Sequence, residues 1–526
     1  MHADLSRVTF RPERHYSAVV AQQGRVQLDA DANEQTAIQL QQARTLATDL
    51  IGQHGGPAGN TGFKLDFKGG SRELDDLLIG GGRYYVDGIL VDASRPRPDE
   101  AVDDEAETSG PDDEAGPEAE PSAPPATWTY WDQPDAYRDP ERAGDRLPTQ
   151  FPYLAYLKVW ERTVTAAEDP ALREVALGPA MPDTAARLKV VWQVLPLEGS
   201  QLDIEDGPGD QRDLIRKAFA AWAATAGAPA SRLAARAERP DHADEDPCLV
   251  APDARYRGPE NQLYRVEIHD GGPAKGATFK WSRENGSVVF PVDELDGTWV
   301  ELASLGGDDK LDLNVGDWVE AMDSATISRG EQLPLLRVEE VDLPGRRVRL
   351  SGEPEPGVGR RPELHPYLRR WDQRDAHRRP RKGSGAAARL RRGAVPVEEG
   401  RWVPLEDGVE VYFAPGGTYR PGDHWLVPAR TATGAVEWPV NAAHKPLLRA
   451  PDGIQVHYAP LGWVFGEGEV SDLRMTFAPL AVPVPAADAA ALDAEARAAA
   501  QTEAAEAEGE QGATDSAAKN PRRSSS

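Results

Sequence analysis

Apolar and polar residues alternate in short runs along most of the chain, and few windows carry a helical spacing. The clearest helix signal is Ile38, Ala43, Leu46, Ala47, Leu50 and Ile51, which recur at roughly helical intervals until Gly52 and the following QHGGPAGN stop them. Ahead of it, GRVQL alternates Val26 with Leu28, as extended chain does. After it come the strand-like pieces GFKLDF and DLLIGGGRYYVDGILVDA. Tyr84 and Val86, then Ile89 and Val91, alternate across Asp87-Gly88, the pattern of a tight hairpin. From Phe151 onward strands dominate. YLAYLKVWERTV and RLKVVWQVLPL read as buried strands, and RKAFAAWAATAG as a short helix. NQLYRVEIHDG, ATFKWSRENGSVVFPV, GDWVEAMD, PLLRVEEVD, GRRVRLSG, DGVEVYFA, DHWLVPART and PLGWVFG follow at short intervals.

Strands this short and evenly punctuated predict a mainly β, α+β protein, with a multi-module sandwich-like or barrel-like body rather than a parallel α/β sheet. The segments divide as follows: an N-terminal arm, helix and hairpin docking region over 1–98; a disordered acidic insert over 99–126; the first part of a β module over 127–200; a helical or linker segment over 201–246; a central β module over 247–360; a basic loop over 361–394; a C-terminal β module over 395–480; and a disordered tail over 481–526. The acidic insert holds eleven acids and no base, so its charges repel and it has nothing to bury. A short phrase recurs, WDQPDA from Trp131 and WDQRDA from Trp371, which suggests two similar docking segments.

Composition narrows the function classes. The 526 residues carry a formal charge of -28, so the phosphate backbone of a nucleic acid would repel the chain as a whole. The single cysteine, Cys248, excludes an intramolecular disulfide and a cysteine-based zinc site. Cys248, beside Pro247, reads as a small buried residue rather than a nucleophile. The first residues, MHADLSRVTFRPER, lack the apolar core of a secretion signal. No apolar run reaches about 18 residues, so membrane insertion is not expected and the protein is placed in the cytoplasm. No G-x-S-x-G, P-loop or H-E-x-x-H pattern appears.

The densest polar stretch near the start is YSAVVAQQGRVQLDADANEQ, Tyr16 to Gln35. Asp31 is placed to cap a helix, with Glu34 three residues on in capping-box spacing, and Asp29 adds negative charge at the positive end of the helix. Asp29, Asp31 and Asn33 also follow a D-x-D-x-N calcium spacing. Glu34 then stands where an EF-hand needs glycine and Leu40 where it needs a carboxylate, so no metal is assigned.

RHYSAVVAQQGRVQLDADANEQ resembles the N-terminal signature of a family of large proteins encoded in contractile phage-tail-like (extracellular contractile injection system) gene clusters, beside baseplate genes. Later phrases are similar in the same order: residues 158–194, 252–272, 279–290 and 422–439. The resemblance spans about residue 4 to about residue 480, and the family is described only as a domain of unknown function. Ala32 departs from it, standing where the family usually has an aromatic residue, often Trp. The resemblance implies association with a tail-like particle rather than a reaction.

Other clusters are weighed on their residues. Asp253, Arg255, Arg257, Glu260 and Asn261 could form a site, and Glu267 and His269 would share a strand face, but no third metal ligand can be assigned. The cluster reads as a structural network or subunit interface. FKWSRENGSVVFPV interleaves Phe279, Lys280, Trp281 and Arg283, as a stacking surface for a sugar or single strand would. It reads more simply as a strand, an Asn285-Gly286 hairpin turn, and a return of Val288, Val289 and Phe290 into a core. The basic run 357–392 reads as a loop or protein-docking segment.

The chain therefore reads as a non-enzymatic assembly component without cofactor, whose partners are other subunits of such a particle, with Arg25, Asp29, Asp31, Asn33, Glu34, Arg257, Glu260 and Asn261 as interface or structural residues. The alternative is a carbohydrate-binding or carbohydrate-active β protein displayed on the particle, facing a cell-surface glycan, or a carried effector.

Overall fold

The two longest apolar runs pair with each other, antiparallel, from Tyr153 opposite Glu198 to Val164 opposite Arg187. Both faces of that ribbon are apolar because both are covered. In the computed structural model, which describes residues 2–69, 75–95, 127–178, 181–205, 207–237, 255–306, 310–374, 390–466 and 469–480, they belong to a four-stranded sheet. The acidic insert 99–126, the tail 481–526, Cys248, Asp253 and residues 375–389 of the basic run lie outside the described residues. A unit spanning residues 1–476 holds all that follows.

Three cores fill this unit. In the first, the strand Tyr153–Val164 takes the strand Val456–Gly466 on its other side. One sheet face receives Ile215 and Phe219 of helix α2 (Gln211–Gly227) against Leu154, Tyr156, Leu197 and Trp463. The other face, Tyr153, Leu157 and Val159, packs on Phe63, Leu77, Tyr84 and Val91 from the N-terminal strands. The period-two alternation of side chains divides the strand between them.

The second core lies between a five-stranded sheet, which contains the strands Gln262–Ile268, Thr278–Ser282 and His424–Arg430, and a three-stranded sheet of Trp402–Pro404, Val409–Phe413 and Leu233–Ala237. Tyr264, Val266, Phe279, Trp281, Trp425 and Val427 fill it. The third core is the interior of a closed six-stranded barrel, in the order Val289–Asp296, Trp299–Leu302, Arg347–Leu350, Leu336–Asp342, Trp318–Met322, Tyr367–Trp371. Closure removes the sheet edges that would otherwise need covering.

The mainly β class and the N-terminal helix agree with the sequence reading, and several details differ. Asn285 (φ 52°) and Gly286 (φ 65°) do make the tight turn, but the chain does not fold back on Thr278–Ser282. Val289–Asp296 instead pairs with Tyr367–Trp371 and enters the barrel, so the two arms of that phrase serve different cores. Tyr367–Trp371 is itself a strand buried at every position, where the basic run reads as a loop. Among the described residues no helix is long and apolar enough to cross a membrane.

Helix α1 spans Asp29–Ile51 and buries only Ala30 and Ile38 fully. Its Arg44 lies over the Asp87-Gly88 turn, and a Cβ on Gly88 (φ +77°) would stand 2.2 Å from the Arg44 carbonyl oxygen. Gly88→Ala is therefore expected to cost more than about 1 kcal/mol, from the left-handed backbone and the clash together. The α1 segment should become the earliest site of limited proteolysis, and unchanged protection there would contradict the contact.

Candidate functional site

The N-terminal arm is pinned to α1 at several points. Ser6 donates from its backbone N–H and its hydroxyl to the Asp29 carboxylate, at 2.9 and 2.6 Å. The Thr9 hydroxyl donates to Glu34 at 2.5 Å, and the Val19 N–H to the Gln35 side chain at 2.7 Å. The helix is capped at Leu28 and starts at Asp29, three residues before the start that a cap at Asp31 would give. Asp31 is consequently not its cap but its third residue, where it accepts the Leu28 N–H at 3.2 Å. Burial raises the Asp29 carboxyl, but the two Ser6 hydrogen bonds, with the Ala30 and Asp29 backbone N–H groups, together outweigh it and hold it below the usual value. Arg25 and Asn33 are exposed. The five residues thus do not converge on a point; three of them fix the path of the arm.

That path leaves apolar surface open. Tyr16, Val20, Val26 and Leu28 of the arm are exposed, as are Leu46 and Leu50 of α1. The helical stripe legible in the sequence is real in spacing, yet of it only Ile38 is fully buried, while Leu46 and Leu50 face outward. A second exposed group, Val175, Leu177 and Met181, lies on the connection between the two long strands, with Leu188 at the start of the second strand.

The other predicted residues make contacts within the chain. Glu260 pairs with Lys310, and its carbonyl accepts the Tyr256 hydroxyl at 2.6 Å. Asn261 Oδ1 accepts the Thr431 N–H at 3.1 Å, and the Arg257 N–H reaches the Asp407 carbonyl at 3.1 Å. Phe279, Lys280 and Trp281 are buried, so they offer no stacking surface. All thirteen tryptophans are buried or partly buried, and no open row of rings suited to a glycan is among them. The repeated WDQ phrase has a use that its sequence only hints at. Gln133 accepts the Val194 N–H and donates to the Val194 carbonyl, while Gln373 accepts the Trp281 N–H and donates to the Gly393 carbonyl. Each buried amide satisfies the backbone of a neighbouring strand.

A buried ionic cluster, missed as a cluster by sequence reasoning, forms where the three cores meet. Side chains of Gln262–Ile268 that point away from the second core, Arg265 and Glu267, meet Lys280, Glu320 of the barrel, and His2. Arg265 Nε lies 2.6 Å from Glu267, Lys280 Nζ lies 2.7 Å from Glu320 and 3.4 Å from Glu267, and His2 Nε2 lies 3.0 Å from Glu267. Lys280 also sits 4.5 Å above the Trp371 ring. Burial raises the Glu267 carboxyl, but Arg265 and Lys280 outweigh it and hold it well below the usual carboxylate range. Burial, with the charges of Arg265 and Arg369, pushes His2 well below its ordinary value, so its imidazole is neutral. The signal that could have found the cluster was present: Arg265, Glu267 and Lys280 occupy alternate positions of strands whose other faces are strongly apolar.

Among the described residues no group of His, Cys, Asp or Glu is arranged to hold a metal ion. Each acid of the cluster is tied to a cation, which suits rigidity rather than proton transfer. A family model described as a family of unknown function (DUF6519) matches residues 1–99 and 199–525. No curated protein and no solved structure matches the chain.

Proposed function

The chain belongs to the DUF6519 family, and we propose that it is a structural, non-enzymatic component of a contractile phage-tail-like particle, associated with its baseplate and held there by protein–protein docking. The observation that carries this reading is the row of exposed apolar side chains on the arm and on α1: Tyr16, Val20, Val26, Leu28, Leu46 and Leu50. A 23-residue helix that buries two residues is not held by its own packing. It is held by polar pins, Asp29 to Ser6, Glu34 to Thr9, and Arg44 to Glu161 at 2.5 Å. Such a surface is pre-formed, so a partner covering it loses little chain entropy on binding. Large apolar side chains held exposed on a fixed frame are what an interaction surface presents. The exposed residues between the long strands supply a second surface of the same character. The reading needs neither nucleic acid nor membrane insertion.

The test uses substitutions on open surface. The pairs Val20→Asp with Val26→Asp, and Leu46→Asp with Leu50→Asp, should leave the melting temperature within a few degrees, because these side chains contribute little to the cores. Each pair should strip the protein from sedimented particles. Particles that retain both folded variants at parental stoichiometry would overturn docking through the arm. Deleting residues 1–35 is the blunter experiment, since it also removes His2 from the ionic cluster.

A further inference from the structure

The strand Arg187–Glu198 stands at the edge of its sheet, paired only with Tyr153–Val164. The register is unbroken, so its backbone groups alternate between the partner strand and the open side. Gln133 fixes the phase. It accepts the Val194 N–H at 2.6 Å and donates to the Val194 carbonyl at 3.2 Å, so the even-numbered residues face outward. Residues 133–135 cover that end of the edge, where the Asp135 carbonyl takes the Gln193 amide and its carboxylate takes Lys189. At the other end, the outward N–H and C=O groups of Leu188 and Val190 have no hydrogen-bond partner among the described residues, and the Leu188 side chain is exposed. An open edge of this kind is a template for an added strand.

The N-terminal arm carries a matching element. Residues 16–22 contain no helix or turn. The Ser17 carbonyl and the Val19 N–H face α1, where they meet Gln42 and Gln35. The backbone groups of Tyr16, Ala18 and Val20 face the other way, and none has a partner among the described residues.

Building on the reading of the arm as an attachment surface, we propose that residues 16–20 of one copy of this chain add as a strand to the open end of Arg187–Glu198 in a second copy. Tyr16, Ala18 and Val20 share one face and would lie beside Leu188 and Val190 as cross-strand neighbours. Residues 16–24 bear no charge, so they approach Arg187 and Lys189 without repulsion. Pairing of the edge with itself is disfavoured. About Leu188 it would set Arg187 opposite Lys189 of the second copy, and about Val190 it would run the second chain onto Gln133. Arm and edge are different surfaces, so the contact is head-to-tail and repeats from copy to copy.

Sedimentation equilibrium of the purified full-length chain, without particles, tests this. The parent should rise above the monomer mass as its concentration increases. Ala18→Pro removes one outward N–H from the arm. Leu188→Pro removes one from the edge, a place where proline leaves the ladder to Tyr153–Val164 intact. Each variant alone should be monomeric. Mixed, the two should form a 1:1 dimer and nothing larger, because one intact arm and one intact edge remain to pair. A synthetic peptide of residues 14–24 should dissociate the parent assembly and the same peptide with Ala18→Pro should not, which serves if Leu188→Pro fails to fold. A parent that stays monomeric at its highest soluble concentration overturns the proposal. So does association that survives either substitution or the peptide, or folded variants that stay monomeric when mixed. Self-association without retention on particles counts against the particle reading alone, and retention without self-association against this inference alone.

Discussion

Replacing Glu267 by glutamine is expected to cost the folded chain about 3–5 kcal/mol, the range for removing one member of a buried ionic group. Glu267 is 3% exposed and faces Arg265, Lys280 and His2 at once. Glutamine keeps the shape and removes the charge. Two buried cations then lose a carboxylate that water cannot replace. Lys280 keeps Glu320, so the loss falls mainly on Arg265. Adding Arg265→Met to Glu267→Gln should therefore recover part of the stability, because it removes the charge left behind rather than a contact. Urea unfolding followed by tryptophan fluorescence reads both, since Trp281 and Trp371 lie beside the cluster. A single variant within about 1 kcal/mol of the parent would mean that the cluster is solvated in the folded state, contrary to its burial.

The cluster also joins the two halves of the functional reading. His2 reaches Glu267 at 3.0 Å, and the Asn285 side chain donates to the Ala3 carbonyl at 2.9 Å. Arg430 donates to the Ser6 carbonyl at 2.9 Å, and Arg7 lies 3.0 Å from Glu437. The root of the arm is thus anchored in the body before Ser6 and Thr9 hand it to α1. The exposed stretch from Tyr16 to Leu28 is carried on a frame fixed at both ends, which is what an attachment surface of defined geometry needs.

How far the sequence reveals this depends on the distance over which each feature is determined. The hairpin at Asp87-Gly88 is legible because two left-handed residues between alternating apolar runs have few other solutions. The twelve-residue strands are legible because nothing else buries both faces of YLAYLKVWERTV. Barrel closure is not legible. It depends on Val289–Asp296 pairing with Tyr367–Trp371, which no local pattern encodes. Periodicity gives α1 its stripe, but only the body decides whether a stripe is covered, and Leu46 and Leu50 are not. Arg369 and Arg370 look like part of a basic loop because their neighbours in sequence are basic. Their neighbours in space are the Tyr367 hydroxyl and the carbonyls of Lys310 and Asp312. The site residues near the arm are legible as a group but not in their roles, because the helix begins three residues early and converts Asp31 from a cap into a first-turn acceptor.

Mild acid is expected to destabilise the fold well before its carboxylates are protonated. Burial, with the charge of Arg265 on both, lowers the imidazoles of His2 and His424 well below their ordinary value. Burial with Lys280 lowers His269, and burial with Arg216 lowers His54. The sign follows from which state takes the proton first. An unfolded histidine protonates near pH 6.5, while these four remain neutral in the folded chain to lower pH. Between those points the unfolded state binds more protons, so stability falls as pH falls, by up to about 1.4 kcal/mol per pH unit for each such histidine. Burial raises the carboxyls of Asp423 and Glu406, which act in the opposite sense, so one histidine has to be isolated. His424 is the one to choose. It is 4% exposed, and the Gly422 carbonyl 3.2 Å from its Nδ1 favours the proton less than burial and Arg265 disfavour it. His424→Gln should lower stability at pH 7.5 through lost packing and flatten the fall in melting temperature between pH 7 and pH 5.5 relative to the parent. A parallel fall in the two proteins would show that His424 takes its proton in the folded state as easily as in water, and would remove it as a cause of the acid sensitivity.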